Sequence, residues 1–383
     1  MMKNILFFYF FIFSESAVAY PDFISYGYKS CISCHYSGGG GGQLNDYGRA
    51  LFASEFSATT FRDKKPAELA SESGFLGATE LPWWIRPGLK YRGLWLRTNV
   101  GSAYQKDRII HMQGDIDLSL HFDRENKLVL VTNYGYVPKP QGNSQAQASQ
   151  WISRQHYLRW MPADRWILYA GLMDKFYGIR HADHTAVNRG LISLGHSDQS
   201  YGVAMQYLTE KYELSGGVFL GNFSQEENLR AKGISGLFEY SLTDRITFGT
   251  SALTQANYYV DESRFGLSSR IGFGKGRSLI AEFGQYKNLG KLGYVVNDTD
   301  GYYLFLQSLV SFSKGYNYLF SFQNYRPNTA ETSFEFTKLS LGFLFFPLQR
   351  TEIRTEIVNI RTVAQQNTSP DTWNLLTQLH ISW

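Results

Sequence analysis

The 383-residue sequence contains only two cysteines, Cys31 and Cys34, and few charges: 18% Asp, Glu, Lys and Arg, with a formal net charge of +4. So few cysteines exclude a disulfide scaffold and a four-thiolate zinc site, which would need a second pair. A charge so close to balance leaves no basic footprint for nucleic acid. After the first 19 residues no run approaches the roughly 18 apolar residues of a membrane-spanning helix. No Ser-His-Asp or paired-carboxylate pattern stands out to indicate hydrolytic chemistry.

The two cysteines stand in Cys31-Ile32-Ser33-Cys34-His35, which has the Cys-x-x-Cys-His spacing of c-type haem attachment. The thiols would add across the vinyl groups of one covalent haem c, and His35 would take an axial position on the iron. A dithiol oxidoreductase would use the same thiols but has no need of the histidine. The N-terminus fits an exported chain. Lys3, the apolar run 5–13 and the small residues Ala17-Val18-Ala19 read as a secretory signal peptide over 1–19, too short to anchor in a bilayer.

Residues 20–84 are expected to form a small haem segment. The stretch 44–52 is amphipathic and predicts a short helix, and 63–73 reads as a solvated linker or short helix. Five glycines at 38–42 read as a flexible turn beside the haem, because no Lys-Ser or Lys-Thr follows to complete a phosphate cradle. The segment is too small for a sizeable core of its own, so the haem would have to serve as much of it.

From Ile85 to the last residue the pattern alternates with period two. In the final run, Trp373, Leu375, Thr377, Leu379, Ile381 and Trp383 share one face, while Asn374, Gln378, His380 and Ser382 share the other. Apolar-out, polar-in strands with aromatic ends are those of a lipid-facing barrel. Candidate strands fall at 85–99, 106–121, 127–137, 151–161, 166–174, 200–209, 211–222, 233–242, 245–256, 263–274, 277–287, 300–311, 315–326, 333–346, 350–361 and 372–383. Tight connections, such as 122–126 and 243–244, alternate with long ones, such as 138–150 and 175–199. The expectation is a mostly β chain: a transmembrane antiparallel barrel of about 16 strands over 85–383, with a small helical and irregular cytochrome c segment before it. Short turns would face the periplasm, putting Asn126 and Asp244 inside and Gln145 and Asn188 outside. Gly272-Phe273-Gly274-Lys275-Gly276 reads as a hairpin turn rather than a phosphate loop.

The haem segment offers no second iron ligand, since residues 20–110 contain no methionine and no histidine other than His35. The barrel would have to supply one. Parity puts His111 and His121 with Gln113, Asp115 and Asp117 toward the lumen, and Met173 with Tyr169 on the fifth strand. The loop after that strand carries His181, Asp183, His184, Arg189 and His196, which could hold a divalent transition metal, fold into the pore, or reach the haem. The candidate distal ligands are His184, His181 and His111 in that order, followed by Met173.

A signal peptide, one Cys-x-x-Cys-His, the following Asp46-Tyr47-Gly48-Arg49 and a porin-like barrel together resemble the fused monohaem cytochrome c–porins of bacterial outer membranes, whose best-known members are iron oxidases. The resemblance implies a haem in or under the pore. It also implies single electrons passing from an extracellular donor, with ferrous iron a candidate, to a periplasmic carrier such as a soluble cytochrome. The glycine run and the compact barrel depart from those iron oxidases and leave the donor open. The residues also admit a diffusion porin for a small solute with a haem plug or sensor, or a periplasmic cytochrome with a β-rich partner domain.

Overall fold

The computed structural model describes residues 21–60, 64–137, 150–181, 183, 185–192, 194–195, 198–291, 298–330, 334–364, 367–368 and 371–383. The expected signal peptide, Gln145, His184 and His196 lie outside them. Period-two alternation builds sixteen spanning strands. They are β1 (Ile85–Thr98), β2 (Lys106–His121), β3 (Leu128–Val137), β4 (Gln150–Ala163), β5 (Trp166–Met173), β6 (Ser200–Leu208), β7 (Tyr212–Phe219) and β8 (Lys232–Thr243). The second half comprises β9 (Ile246–Ala256), β10 (Val260–Gly272), β11 (Arg277–Gly290), β12 (Thr299–Ser313), β13 (Tyr316–Arg326), β14 (Phe334–Leu348), β15 (Thr351–Ala364) and β16 (Thr372–Ser382). All pair antiparallel with their neighbours, and a two-residue extension, Asn367–Thr368, folds back on β15. Pairing of β16 with β1, from Lys90 opposite Ser382 to Arg97 opposite Leu375, closes the barrel and removes its edges.

The closed sheet satisfies its backbone internally, so side chains alone decide which face meets which medium. On β9, Thr247, Ser251 and Gln255 are buried toward the lumen while Phe248 is exposed outward. Large apolar residues such as Trp151, Trp160, Trp166, Tyr318 and Trp373 are exposed on the outer wall, as lipid-facing positions require.

The N-terminal segment fills the mouth at the tight-turn end. It contains a 3-10 turn (Pro21–Tyr26), the Cys31–Ser33 turn, α1 (Asp46–Leu51), a wider turn (Phe52–Phe56) and α2 (Pro66–Ser71). Its partners run around the rim. Lys29 bonds Glu210 O (2.6 Å) and Asp244 (3.0 Å), and Lys314 bonds Ser54 O at 2.5 Å. Ala58 N donates to Phe346 O at 2.8 Å, and Gln349 reaches Glu72 O at 3.3 Å. Asp22 accepts from Ser278 and Gln307, and Tyr36 bonds His121 at 2.9 Å.

The plug's apolar residues do not form a core of their own. Leu51, Phe52 and Phe56 pack with Leu309, Leu319, Leu344 and Phe346 of the wall. Each such large side chain stabilises docking by about 1.5–3 kcal/mol relative to exposure. The wall thus supplies the core that the segment's length denies it.

The connection between β5 and β6 does not project outward as its length suggested. Tyr177, Ile179, Ala186, Val187, Ile192 and Leu194 are buried against Phe219, Leu253, Ile280, Tyr303 and Phe305. Asn188, expected at the outer surface, is 1% exposed and donates to Glu282 at 2.9 Å. Ile179 N and Tyr303 OH donate to the same carboxylate at 2.7 and 2.8 Å. An apolar loop facing an apolar arc of lumen wall gains more by folding inward than by standing in water.

Candidate functional site

The Cys-x-x-Cys-His turn is held from behind by α1. Cys34 N and His35 N both donate to Cys31 O, at 3.2 and 3.0 Å, which gathers both thiols and the imidazole into one turn. Asn45 caps α1 by accepting from Gly48 N at 2.8 Å, and its amide donates to Ser33 O at 3.0 Å. A Cβ at Gly48 would lie 2.3 Å from Cys34 O, so only glycine lets helix and turn meet. Asp46 forms a two-pronged pair with Arg86 of β1, at 2.6 and 2.8 Å, tying α1 to the wall. Within Asp46-Tyr47-Gly48-Arg49, Asp46 and Gly48 therefore have structural tasks. His35 then pairs with Leu44, and Tyr36 N donates to Gln43 O at 3.3 Å, closing a small hairpin around the glycine run. Gly40, Gly41 and Gly42 have φ of 78°, 70° and 65°, values that exclude most other residues there.

Between plug, infolded loop and wall lies a cavity with about 1790 Å³ of non-protein space, part of it open to solvent. Cys31, Cys34, His35, Leu44 and Phe52 line it from the plug, Arg180, His181 and Arg189 from the loop, and Lys90, Arg92, Arg270 and His380 from the wall. Eight Lys and Arg residues and three carboxylates line it. Some of these pair with one another or with neighbours, as in Lys90–Asp117 (2.9 Å), Arg154–Asp115 (3.1 Å) and Arg270–Glu239 (2.6 Å). The positive excess suits a ligand carrying carboxylates and disfavours a bare divalent cation.

Burial pushes the Cys31 thiol up to about 12 and the Cys34 thiol up to about 11, opposite to the lowered value that a thiolate-driven exchange reaction needs. Burial lowers His35 to about 4, so its imidazole is neutral, the form that ligates metal. One of its ring nitrogens, Nδ1, is buried with no hydrogen-bond partner. Two thiols, a neutral imidazole with an orphaned nitrogen, apolar Leu44 and Phe52, and surrounding guanidinium groups are a donor set that fits a haem c.

The structure sorts the candidate distal ligands. His181 faces the same cavity, its ring stacked on Phe305 (4.4 Å, 13°) and its Nε2 bonded to Asn188 at 2.8 Å, while Nδ1 is buried without a partner. Burial lowers it to about 4 as well. His111 does not face the lumen. A bulge sets Gln113 opposite Arg92 but His111 opposite Gly93, and the extra residue reverses parity. His111 therefore sits on the outer wall among Tyr91 and Tyr136, which corrects the lumen expectation. His121 does point inward, but both ring nitrogens are engaged, by Tyr36 and Asn126. Met173 packs among Tyr36, Tyr157, Tyr169 and Phe176 and does not line the cavity. His184 lies outside the described residues.

Nor does the loop gather a metal site among the described residues, where no group of three His, Cys, Asp or Glu converges. Asp183 turns to Lys338 (3.4 Å), Arg354 (3.8 Å) and Thr185, while His181 turns to Asn188. His380 is the residue that sequence reasoning passed over. It lines the cavity, its Nδ1 lies 3.3 Å from Glu352, and its Nε2 is buried without a partner. Its parity with Asn374 and Gln378 was the available signal.

No protein-family model matches the sequence, and no curated protein matches it. Solved structures do match. OmpT of Vibrio cholerae superimposes with a TM-score of 0.59 at 9% identity, covering 78% of this chain and 97% of that one. An anion-selective porin from Comamonas acidovorans gives 0.58 at 9%, covering 78% and 99%, and Pseudomonas putida OprB gives 0.58 at 9%, covering 79% and 94%. At such identities the likeness carries the architecture alone: the chain has the fold of a sixteen-stranded outer-membrane porin barrel.

Proposed function

We propose that this chain is an outer-membrane electron-transfer protein whose barrel houses one covalent haem c. Cys31 and Cys34 would hold it and His35 would ligate it. The observation that carries this reading is that both thiols and the His35 imidazole open onto one cavity between plug and infolded loop. Bound there, the haem would supply reversible one-electron exchange, with a donor losing the electron that an acceptor gains. The protein's part is to hold the turn through Asn45 and Gly48, surround the site with positive charge, and narrow the lumen on both sides. The long-loop side would admit an extracellular donor, and the plug side would face a periplasmic carrier such as a soluble cytochrome. Ferrous iron as donor would have to arrive chelated by an anion, given the positive lining.

A diffusion porin is the second reading, favoured by the channel architecture of the solved neighbours. Against free diffusion stands the plug, which bonds to wall and turns around the rim. Proteoliposomes carrying the mature protein separate the two. Electron transfer predicts reduction of an enclosed acceptor by an external reduced dye, with little sugar leakage until residues 21–60 are deleted. Sugar leakage through the intact chain without acceptor reduction would establish the porin reading instead.

A further inference from the structure

Of the seven arginines that line the cavity, Arg154, Arg180 and Arg270 pair with carboxylates at 3.1, 2.6 and 2.6 Å. Arg49 and Arg350 differ. Both are 4% exposed, and both line the cavity that holds Cys34 and His35. Arg49 donates through Nε to Leu44 O (3.3 Å) and through Nη2 to Pro87 O (3.5 Å), leaving Nη1 buried with no partner. Arg350 has both Nη1 and Nη2 buried with no partner, and its guanidinium lies 5.8 Å from the Trp383 ring centroid. Three buried N–H-bearing nitrogens on two like charges are thus left without hydrogen-bond partners, an arrangement that costs stability. Burial and the Arg49 charge together pull Arg350 down to about 9. An anion placed between the two guanidinium groups would relieve both the unmet donors and the like-charge repulsion.

We propose that Arg49 and Arg350 form a clamp for the two propionate carboxylates of the haem. This rests on the haem reading above. Arg49 is placed by the same α1 whose Gly48 backs the Cys-x-x-Cys-His turn, so attachment and clamping are positioned by one element. Arg350 comes from the β14–β15 turn, held in the left-handed region (φ 64°) with its carbonyl accepting from Ser382 N at 2.9 Å. The clamp would thus fix the haem to plug and barrel simultaneously.

The test is the pH dependence of the haem midpoint potential in detergent-purified holoprotein, comparing wild type with R49Q, R350Q, R350K and the exposed-turn control R165Q. Removing a cation beside the propionates favours the ferric form. The potential should therefore fall in R49Q and R350Q by about 59 mV for each tenfold loss of ferrous preference, and the propionate titration should move to higher pH. R350K should recover part of both changes, and R165Q should match wild type. An unchanged potential and titration in both glutamine variants, with haem still attached, would overturn the clamp while leaving the haem reading intact. A wild-type potential that shifts on adding excess succinate would assign the arginines to a solute instead. No haem in the wild type would overturn both readings.

Discussion

Gly48→Ala tests whether α1 positions the Cys-x-x-Cys-His turn. The added Cβ would stand 2.3 Å from Cys34 O, 2.9 Å from its Cα and 3.0 Å from its carbonyl carbon, all backbone atoms that cannot swing aside. Alanine gains about 1 kcal/mol of helix propensity over glycine, whereas overpacking of this kind costs about 1–3 kcal/mol and occasionally more. Separation of helix from turn also loosens Leu51 and Phe52, each contributing about 1.5–3 kcal/mol through burial. The clash wins, and net destabilisation of the plug by about 2 kcal/mol corresponds to roughly a 30-fold larger opened fraction. Hydrogen exchange read by mass spectrometry should show faster exchange across 21–60, while strands β1–β16 keep wild-type protection. Unchanged exchange over 31–52 would refute the assignment of Gly48 as the contact point.

Plug docking should weaken as pH rises. Burial raises Asp22 from 3.8 to about 6 despite its bonds from Ser278 and Gln307, so its contribution to docking is fully present below about 4 and is lost as pH rises through about 6. The gap corresponds to roughly 3 kcal/mol at most. Hydrogen exchange of residues 21–30, corrected for intrinsic rates, should rise from pH 4 to 7.5 in wild type and stay flat in Asp22→Asn. For the distal position, His181→Ala or His380→Ala should change the spin state in the oxidised spectrum, whereas His111→Ala and Met173→Ala should not. An altered spin state in His111→Ala would contradict its outward placement.

The strands were legible because lipid and lumen impose period two on every one of them, and the expected ends agree with the structure within three residues. Parity failed only where the ladder slips, as at the bulge that turns His111 outward. The inward course of the 174–199 connection was not legible, because length marks a loop without saying which side of the wall its apolar residues meet. Val187, Ile192 and Leu194 were the cue. The Cys-x-x-Cys-His turn was legible as a spacing, but its surroundings were not. His380 and Arg350 are neighbours across the paired last two strands, and only docking of the plug brings Arg49 to the same cavity.

The central claim is tested most directly by haem staining of the mature protein on a denaturing gel, after expression in a host competent for cytochrome c maturation, with a reduced-minus-oxidised spectrum of the same sample. A covalent haem band at the full-length position, abolished or weakened in Cys31→Ala and Cys34→Ala and retained with an altered spectrum in His35→Ala, is the predicted result. A folded barrel from that host with no haem band would contradict the account.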